Sequence, residues 1–288
     1  MLSMFENQLL EIDAQMSTNT SPNIPRLFRM IPLDVFGKLL LDIPPQFPHL
    51  KAYFPSMASK DVQMHWTGAH GETLLNQSLA FIKMMIYGYA SISGKGIENA
   101  SVLDFGCGWG RLIRLLYKFV PVDNIFGCDP FNESIKICKE AGIRCNLAIS
   151  DYVPRDLPFE RKFDLIFAFS VFTHLSEKTV KVVLNTLRQY ISDTGVLVIT
   201  VRPKEYWQVH ERVHSQDAIN ASKMVALHEK KGFAFHPHNL PPVEGDVTYG
   251  DASISIEYFD ENFPQWKLVA VEYNDLDPYQ IVLFFTPC

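Results

Sequence analysis

Residues 102–111 read VLDFGCGWGR: an apolar run that ends in an acid and then breaks into glycines at alternate positions, Gly106, Gly108 and Gly110. A glycine-rich turn after a buried strand brings bare backbone N–H groups against a ligand at the start of a helix. Three kinds of nucleotide-like ligand compete for such a turn. The dinucleotide fingerprint is G-x-G-x-x-G, whereas here the third glycine comes one residue early. Asp104 stands two residues ahead of Gly106, where it would face a pyrophosphate with like charge; a carboxylate there suits a ligand that carries a cationic amino group. The triphosphate reading fails because no G-K-[ST] follows the glycines.

The residues around this stretch repeat one rhythm of strand, polar turn and helix. SVLDFG predicts a strand and WGRLIRLLYKF a helix; NIFGCD a strand and NESIKICKEAG a helix; IRCNLAIS a strand; KFDLIFAFS a strand and EKTVKVVLNTLRQYI a helix; GVLVITVR a strand. These strands are continuous apolar runs, as expected where helices cover both faces of a parallel sheet. The expected fold is therefore α/β and doubly wound. WKLVAVEYND and YQIVLFFTPC, separated by a short turn, predict an antiparallel pair that closes the sheet edge.

Ahead of the repeat, residues 1–21 are polar and expected to fray. Residues 22–55 hold seven prolines, which deny donors to any ladder, so this segment is expected to wrap a surface around one short helix at LDVFGKLLLDI. From Gly71 to Ser93 the spacing of Leu74, Leu75, Leu79, Ile82, Met85, Ile86 and Tyr89 predicts a helix. The expected organisation is an extension over 1–70 packing on a domain over 71–288, with 204–264 inserted after the fifth strand as a lid or acceptor site.

Composition narrows the partners. The chain has 288 residues, 47% hydrophobic and 20% charged, enough for one large domain with an elaboration. A net charge of -6, with lysines and arginines scattered, makes a nucleic-acid phosphate backbone a poor partner. The five cysteines form no C-x-x-C pair, and they read as reduced thiols of a cytoplasmic protein. No apolar run approaches the roughly 18 to 20 residues that span a bilayer, so membrane insertion is not expected.

The pattern Asp104-Phe105-Gly106-Cys107-Gly108-Trp109-Gly110 after an apolar strand resembles the first motif of class I S-adenosylmethionine-dependent methyltransferases, D-x-G-x-G-x-G. The resemblance runs from about Ser101 to Arg202 and more loosely to the C-terminal strand pair. It implies a Rossmann-like, mostly parallel sheet of seven strands with an antiparallel C-terminal strand, and S-adenosylmethionine as the cofactor. It also implies roles along the chain. Asp104, Gly106, Cys107, Gly108 and Gly110 form the donor loop, with Cys107 contributing backbone. Asp129, 19 residues past Gly110 and followed by Pro130, takes the ribose hydroxyls. Asp151 meets the adenine amino group, and Ser170 ends the fourth strand near the methyl donor.

The residues keep plainer readings beside these. Asp104 could cap the helix after it, Asp129 could cap NESIKI, and Asp151 could be an ordinary loop acid. Trp66, in WTGAHGETLL, could contact donor or acceptor or simply be buried. His174 follows the fourth strand at the sheet's carboxyl edge and is the candidate general base for a hydroxyl acceptor, since histidine is the side chain most easily poised near neutral pH; a packing role fits its T-H-L context equally.

The acceptor is bounded by absences. The fourth-strand site reads SVFTH, with neither the D/N-P-P-Y/F of amino-nucleobase enzymes nor the acids of metal-dependent catechol enzymes. An oxygen or nitrogen of a small molecule or sugar-like acceptor is expected, with Tyr206, His210 and His214 as its candidate contacts. His210-Glu211-x-x-His214 is also a literal H-E-x-x-H, the zinc-metalloprotease signature. Five of the nine histidines fall between His210 and His238, which favours a chance match, and no resident metal is expected. A binding protein that keeps the fold without turnover is the other alternative.

Overall fold

The computed structural model describes residues 2–19, 21–213 and 219–288. The chain divides into two compact units, Met1–Ala90 with Lys95–Ile149, and Ser91–Gly94 with Ser150–Cys288. The first unit opens with helices α1 (Glu6–Ser17), α2 (Ile24–Leu27), α3 (Leu33–Leu41), α4 (Pro48–Tyr53), α5 (Lys60–Thr67) and α6 (Gly71–Ser93). There follow β1 (Val102–Phe105), α7 (Ile113–Leu116), β2 (Ile125–Asp129), α8 (Asn132–Glu140) and β3 (Asn146–Ile149). The three strands are parallel, with Asp104 opposite Gly127 and Cys128 opposite Ala148. Every residue of β1 and β2 is buried, as the unbroken apolar runs require.

Two expectations for the N-terminal region are corrected. Residues 6–17 are a helix, because Leu9, Ile12, Asp13 and Met16 recur at three and four and all are buried. The Asp13 carboxylate accepts from the backbone N–H groups of His49 and Leu50 at 2.9 and 2.8 Å, satisfying donors at the first turn of α4. The proline-rich segment, in turn, does not merely wrap a surface. Pro25 and Pro48 occupy first-turn positions of α2 and α4, and Pro32 is the N-cap of α3, places where the missing N–H costs nothing. The helices these prolines start bury Phe28, Phe36 and Phe54, which meet edge to face at 5.0 to 5.5 Å.

The helix expected over 109–119 shortens to α7. Its hydrogen bonds mix i−3 and i−4 partners, as in Leu115 and Leu116, whose N–H groups both donate to the Leu112 carbonyl. The cause is Arg114: its buried guanidinium lies 5.0 Å from the Trp109 ring centroid and donates to the carbonyls of Trp109 and Ser56, drawing the first turn out of the helical ladder.

The second unit holds β4 (Phe163–Ala168), α9 (Glu177–Tyr190), β5 (Ile191–Val201), α10 (Tyr206–Val213), α11 (Ala221–Lys231), β6 (Phe233–Pro237), β7 (Gly250–Ile254), α12 (Ile256–Asn262), β8 (Trp266–Glu272) and β9 (Ile281–Pro287). β4 and β5 pair in parallel, β9 joins β5 antiparallel, and β8 closes the edge on β9. The full order is β3-β2-β1-β4-β5-β9-β8, the seven-stranded, mostly parallel sheet that the sequence predicts. β6 and β7 form a separate antiparallel pair that the sequence reading left unassigned. Among the described residues no helix is long and apolar enough to cross a membrane.

Because Asp13 is buried and holds two N–H donors of α4, Asp13→Ala is expected to lower stability by on the order of 1 to 2 kcal/mol. Urea unfolding should show this as a lower midpoint with an unchanged slope.

Candidate active site

In the first unit the chain leaves β1 through the glycine turn. Gly106, Gly108 and Gly110 take φ of +80, +53 and +77, a region that side chains avoid. The N–H groups of Gly106 and Cys107 both donate to the Cys128 carbonyl at the end of β2, at 2.8 and 3.0 Å. Asp129 then fastens the turn: its Oδ2 accepts from Gly108 N–H at 2.9 Å, while Oδ1 accepts from Phe131 N–H and from Ser134 Oγ, each at 2.9 Å. A carboxylate offers about four acceptor positions, and these bonds take three. Burial raises the Asp129 pKa against the pull of these hydrogen bonds.

A side chain at Gly110 would press on Ile143 and Cys138, so this glycine serves close packing. At Gly108 an added methyl would meet nothing nearer than Trp66 Cε3, at 3.9 Å. The turn is therefore open on the side of Trp66, whose ring lies 5.7 Å from that of Phe131, and Phe131 is half exposed. Asp104 is buried at the end of β1; burial first and the nearby Asp129 second push its carboxyl well above the usual range, with Arg111 opposing. A buried acid of this kind gains by meeting a cation. The Cys107 thiol is raised by its hydrogen bond with Cys138 and by burial, which leaves it inert, in keeping with a backbone role.

In the second unit the ends of β4 and β5 carry a polar cluster. Ser170, just after β4, adopts φ +59, held by its N–H on Thr200 Oγ1 at 2.7 Å and by Gln280 Nε2 donating to its Oγ at 3.1 Å. Asp251 in β7 is the hub. Its Oδ1 accepts from Arg202 at 2.6 Å and from the Tyr206 hydroxyl at 2.9 Å; its Oδ2 accepts from Nε2 of His210 at 3.1 Å and of His238 at 2.9 Å. Burial acts to raise the Asp251 pKa, but Arg202 and His174, together with the bonds from His238 and Tyr206, hold it below the ordinary carboxylate range. Arg202 also lies over the Tyr206 ring at 4.0 Å.

His174 is held by both nitrogens. Nδ1–H donates to the Gly250 carbonyl at 2.7 Å, and Nε2 accepts from Arg202 at 3.1 Å, while the ring stacks on Tyr249 at 4.9 Å. Burial and the Arg202 charge lower its pKa to about 3. It is a neutral imidazole whose basic lone pair is already used.

The structure thus brings Trp66, Asp104, the glycines, Cys107 and Asp129 into one unit, and Ser170, His174, Tyr206 and His210 into the other. Pro130 leads from Asp129 into α8, and Asp151 is exposed just past β3. His214 lies outside the described residues. In the H-E-x-x-H stretch, His210 Nε2 is on Asp251 and Glu211 accepts from Ala221 N–H at 3.1 Å. Among the described residues no three His, Cys, Asp or Glu side chains are grouped to hold a metal ion. Sequence reasoning missed Arg202, His238, Tyr249 and Asp251. Asp251 had a signal, an acid inside the otherwise small and apolar run GDASI.

Residues 102–195 match the family described as Methyltransferase domain. Malonyl-[acyl-carrier protein] O-methyltransferase of Halalkalibacterium halodurans is 24% identical over 144 residues, 48% of this chain and 51% of that protein. The chain therefore spans about half the length of this curated relative. Among solved structures, the PH0226 protein of Pyrococcus horikoshii is similar with a TM-score of 0.54 and 15% identity, over 80% of this chain and all of that one. Magnesium protoporphyrin IX methyltransferase of Synechocystis, with bound SAH, gives 0.50 and 13%, over 79% of this chain and 94% of that one. At these identities the two structures speak for the fold. The match over residues 102–195 gives this stretch as a methyltransferase domain, and it takes in the glycine turn and the strands from β1 to the start of β5.

The His174 environment sets a pH dependence. An unfolded histidine takes up its proton near the ordinary 6.5, whereas folded His174 does so only near 3. Between these values the unfolded state binds more protons, so stability falls as pH drops from 6.5 toward 3. The slope from this group is at most about 1.4 kcal/mol per pH unit. Unfolding of wild type and His174→Gln across this range is expected to show the steeper acid loss in wild type.

Proposed function

We propose that this chain transfers a methyl group from S-adenosylmethionine to an oxygen or nitrogen of a small-molecule or sugar-like acceptor. The observation that carries the reading is the glycine turn with the buried Asp104 behind it: left-handed glycines, one open side at Gly108, and a carboxyl whose pKa is raised by burial. The residues fit the donor's chemistry. Asp104 pairs with its ammonium, the turn accommodates its amino-acid part, Trp66 and Phe131 offer ring faces, and the position that Asp129 has left on Oδ2 accepts from a ribose hydroxyl. Pro130, Asp151 and Ser170 complete the proposed donor contacts.

S-adenosylmethionine supplies, when bound, a methyl carbon activated by its positive sulfur. The chain then has to bind, align and dehydrate the reactants, and for a hydroxyl acceptor it has to remove a proton. Tyr206 and His210, fixed on Asp251, are proposed for the acceptor's surroundings. His174, with both nitrogens engaged, is proposed to position Tyr249 and Arg202. The cytoplasmic setting is proposed from the cysteine pattern alone.

Calorimetric titration with S-adenosylmethionine, S-adenosylhomocysteine and NAD tests the reading. Both adenosyl ligands are expected to bind more tightly than NAD, and Asp104→Asn to weaken them by at least about tenfold, as for loss of a charged hydrogen bond. Gly108→Ala should weaken binding and also lower the unfolding midpoint somewhat, since the added methyl has space but a side chain is strained at φ +53. Equal affinity for NAD, or no effect of Asp104→Asn, contradicts the proposal. Because burial keeps Asp104 proton-bound more readily than an ordinary acid, pairing with an ammonium should release protons, giving heats that change with buffer.

A further inference from the structure

Among the groups around Asp251, His238 differs in access. Its side chain is 41% exposed, against 4% for His210, 11% for Arg202 and 17% for His174. Its Nε2–H is spent on Asp251 Oδ2 at 2.9 Å, and no described residue bonds its Nδ1. A carboxylate on Nε2 fixes the tautomer that leaves Nδ1 bare. Tyr249, itself partly exposed, stands edge-on to this ring at 5.5 Å, and His174 lies at 6.5 Å. Of the other charged and titratable groups on this carboxylate, Arg202 beyond β5 and Tyr206 on α10 hold Oδ1, while His210 on α10 shares Oδ2 with His238.

We propose that His238, oriented by Asp251, is the general base that takes the proton from the acceptor, and that the acceptor atom is a hydroxyl oxygen, of an alcohol or phenol. This rests on the methyltransferase reading. The acceptor's O–H bond breaks and its proton passes to His238 Nδ1. The oxygen forms the new bond to the methyl carbon, whose bond to sulfur breaks with the electron pair going to sulfur. The imidazolium stays paired with Asp251 until it returns its proton to water. A neutral amine or a carboxylate would not need this arrangement, because neither must lose a proton before it attacks. His174 cannot fill the role, since Arg202 occupies its basic nitrogen. Asp251 acts through His238 and is a positioning residue.

The test uses the full chain labelled with ¹⁵N-histidine, as wild type, His238→Gln and Asp251→Asn, with 4-nitrophenol as the hydroxyl probe. Long-range nitrogen–proton spectra should show His238 as the Nε2–H tautomer with Nδ1 bare, and Asp251→Asn should weaken that tautomer preference. In buffer below the probe's own pKa, wild type should raise phenolate absorbance, and His238→Gln should lose the rise. An Nδ1–H tautomer, or a phenolate signal absent from wild type or equal in His238→Gln, overturns the proposal. S-adenosylmethionine titration on the same samples separates the two readings. Normal binding with no His238 effect sinks the base alone, whereas failure of wild type to bind sinks the donor reading on which it rests.

Discussion

A carboxylate withdrawn from water must be met by donors or lose its charge, and that constraint organises the functional part of each unit. In the first unit Asp129 gathers Gly108 N–H, Phe131 N–H and the Ser134 hydroxyl. This fixes the glycine turn to the end of β2 before any ligand arrives. In the second unit Asp251 gathers Arg202 past β5, Tyr206 and His210 of α10, and His238 past β6, so that side chains from three parts of the chain converge. Asp104, buried at the end of β1, has its pKa pushed up by burial and by Asp129, with Arg111 opposing.

Arg202 decides how the histidines divide their work. By donating to both Asp251 and His174 it makes one ring a fixed neutral acceptor, while the hydrogen bond from His238 to the same Asp251 leaves the other ring with an open nitrogen. Two histidines near one carboxylate thus receive opposite roles from the partner each meets. The strained Ser170 belongs to the same end of β4, pinned by Thr200 and Gln280; holding a non-glycine residue at positive φ costs on the order of 1 kcal/mol or more, and such strain gathers at functional sites.

What could be read in the sequence was what depends on short spacing. Alternate glycines behind Asp104, unbroken apolar runs and the acid closing β2 all act within one strand and its turn, so the sheet and the glycine turn were legible. The proline count misled because position, not number, decides a proline's effect: Pro25, Pro32 and Pro48 start helices. The Asp251 cluster was out of reach for a different reason. Its members come from the ends of β5 and β6, from α10 and from β7, and it takes the β6–β7 pairing together with backbone bonds from Ala252 and Ile254 N–H to the Thr173 and Arg202 carbonyls to bring them to one carboxylate. His174 was correctly placed at the end of β4, but its partner Arg202 is 28 residues away, and that partner determines what the ring can do.

Residues 104–110 are proposed to hold the methyl donor. Amide hydrogen exchange of this segment with and without S-adenosylhomocysteine tests it most directly, because a ligand seated on the turn would hold closed the bonds that Gly106, Gly108 and Gly110 N–H make to Cys128, Asp129 and Cys107. Slower exchange is expected at Gly106, Gly108 and Gly110 with S-adenosylhomocysteine, and no such change with NAD. Unchanged exchange in this turn under saturating S-adenosylhomocysteine, or equal protection by NAD, would contradict it.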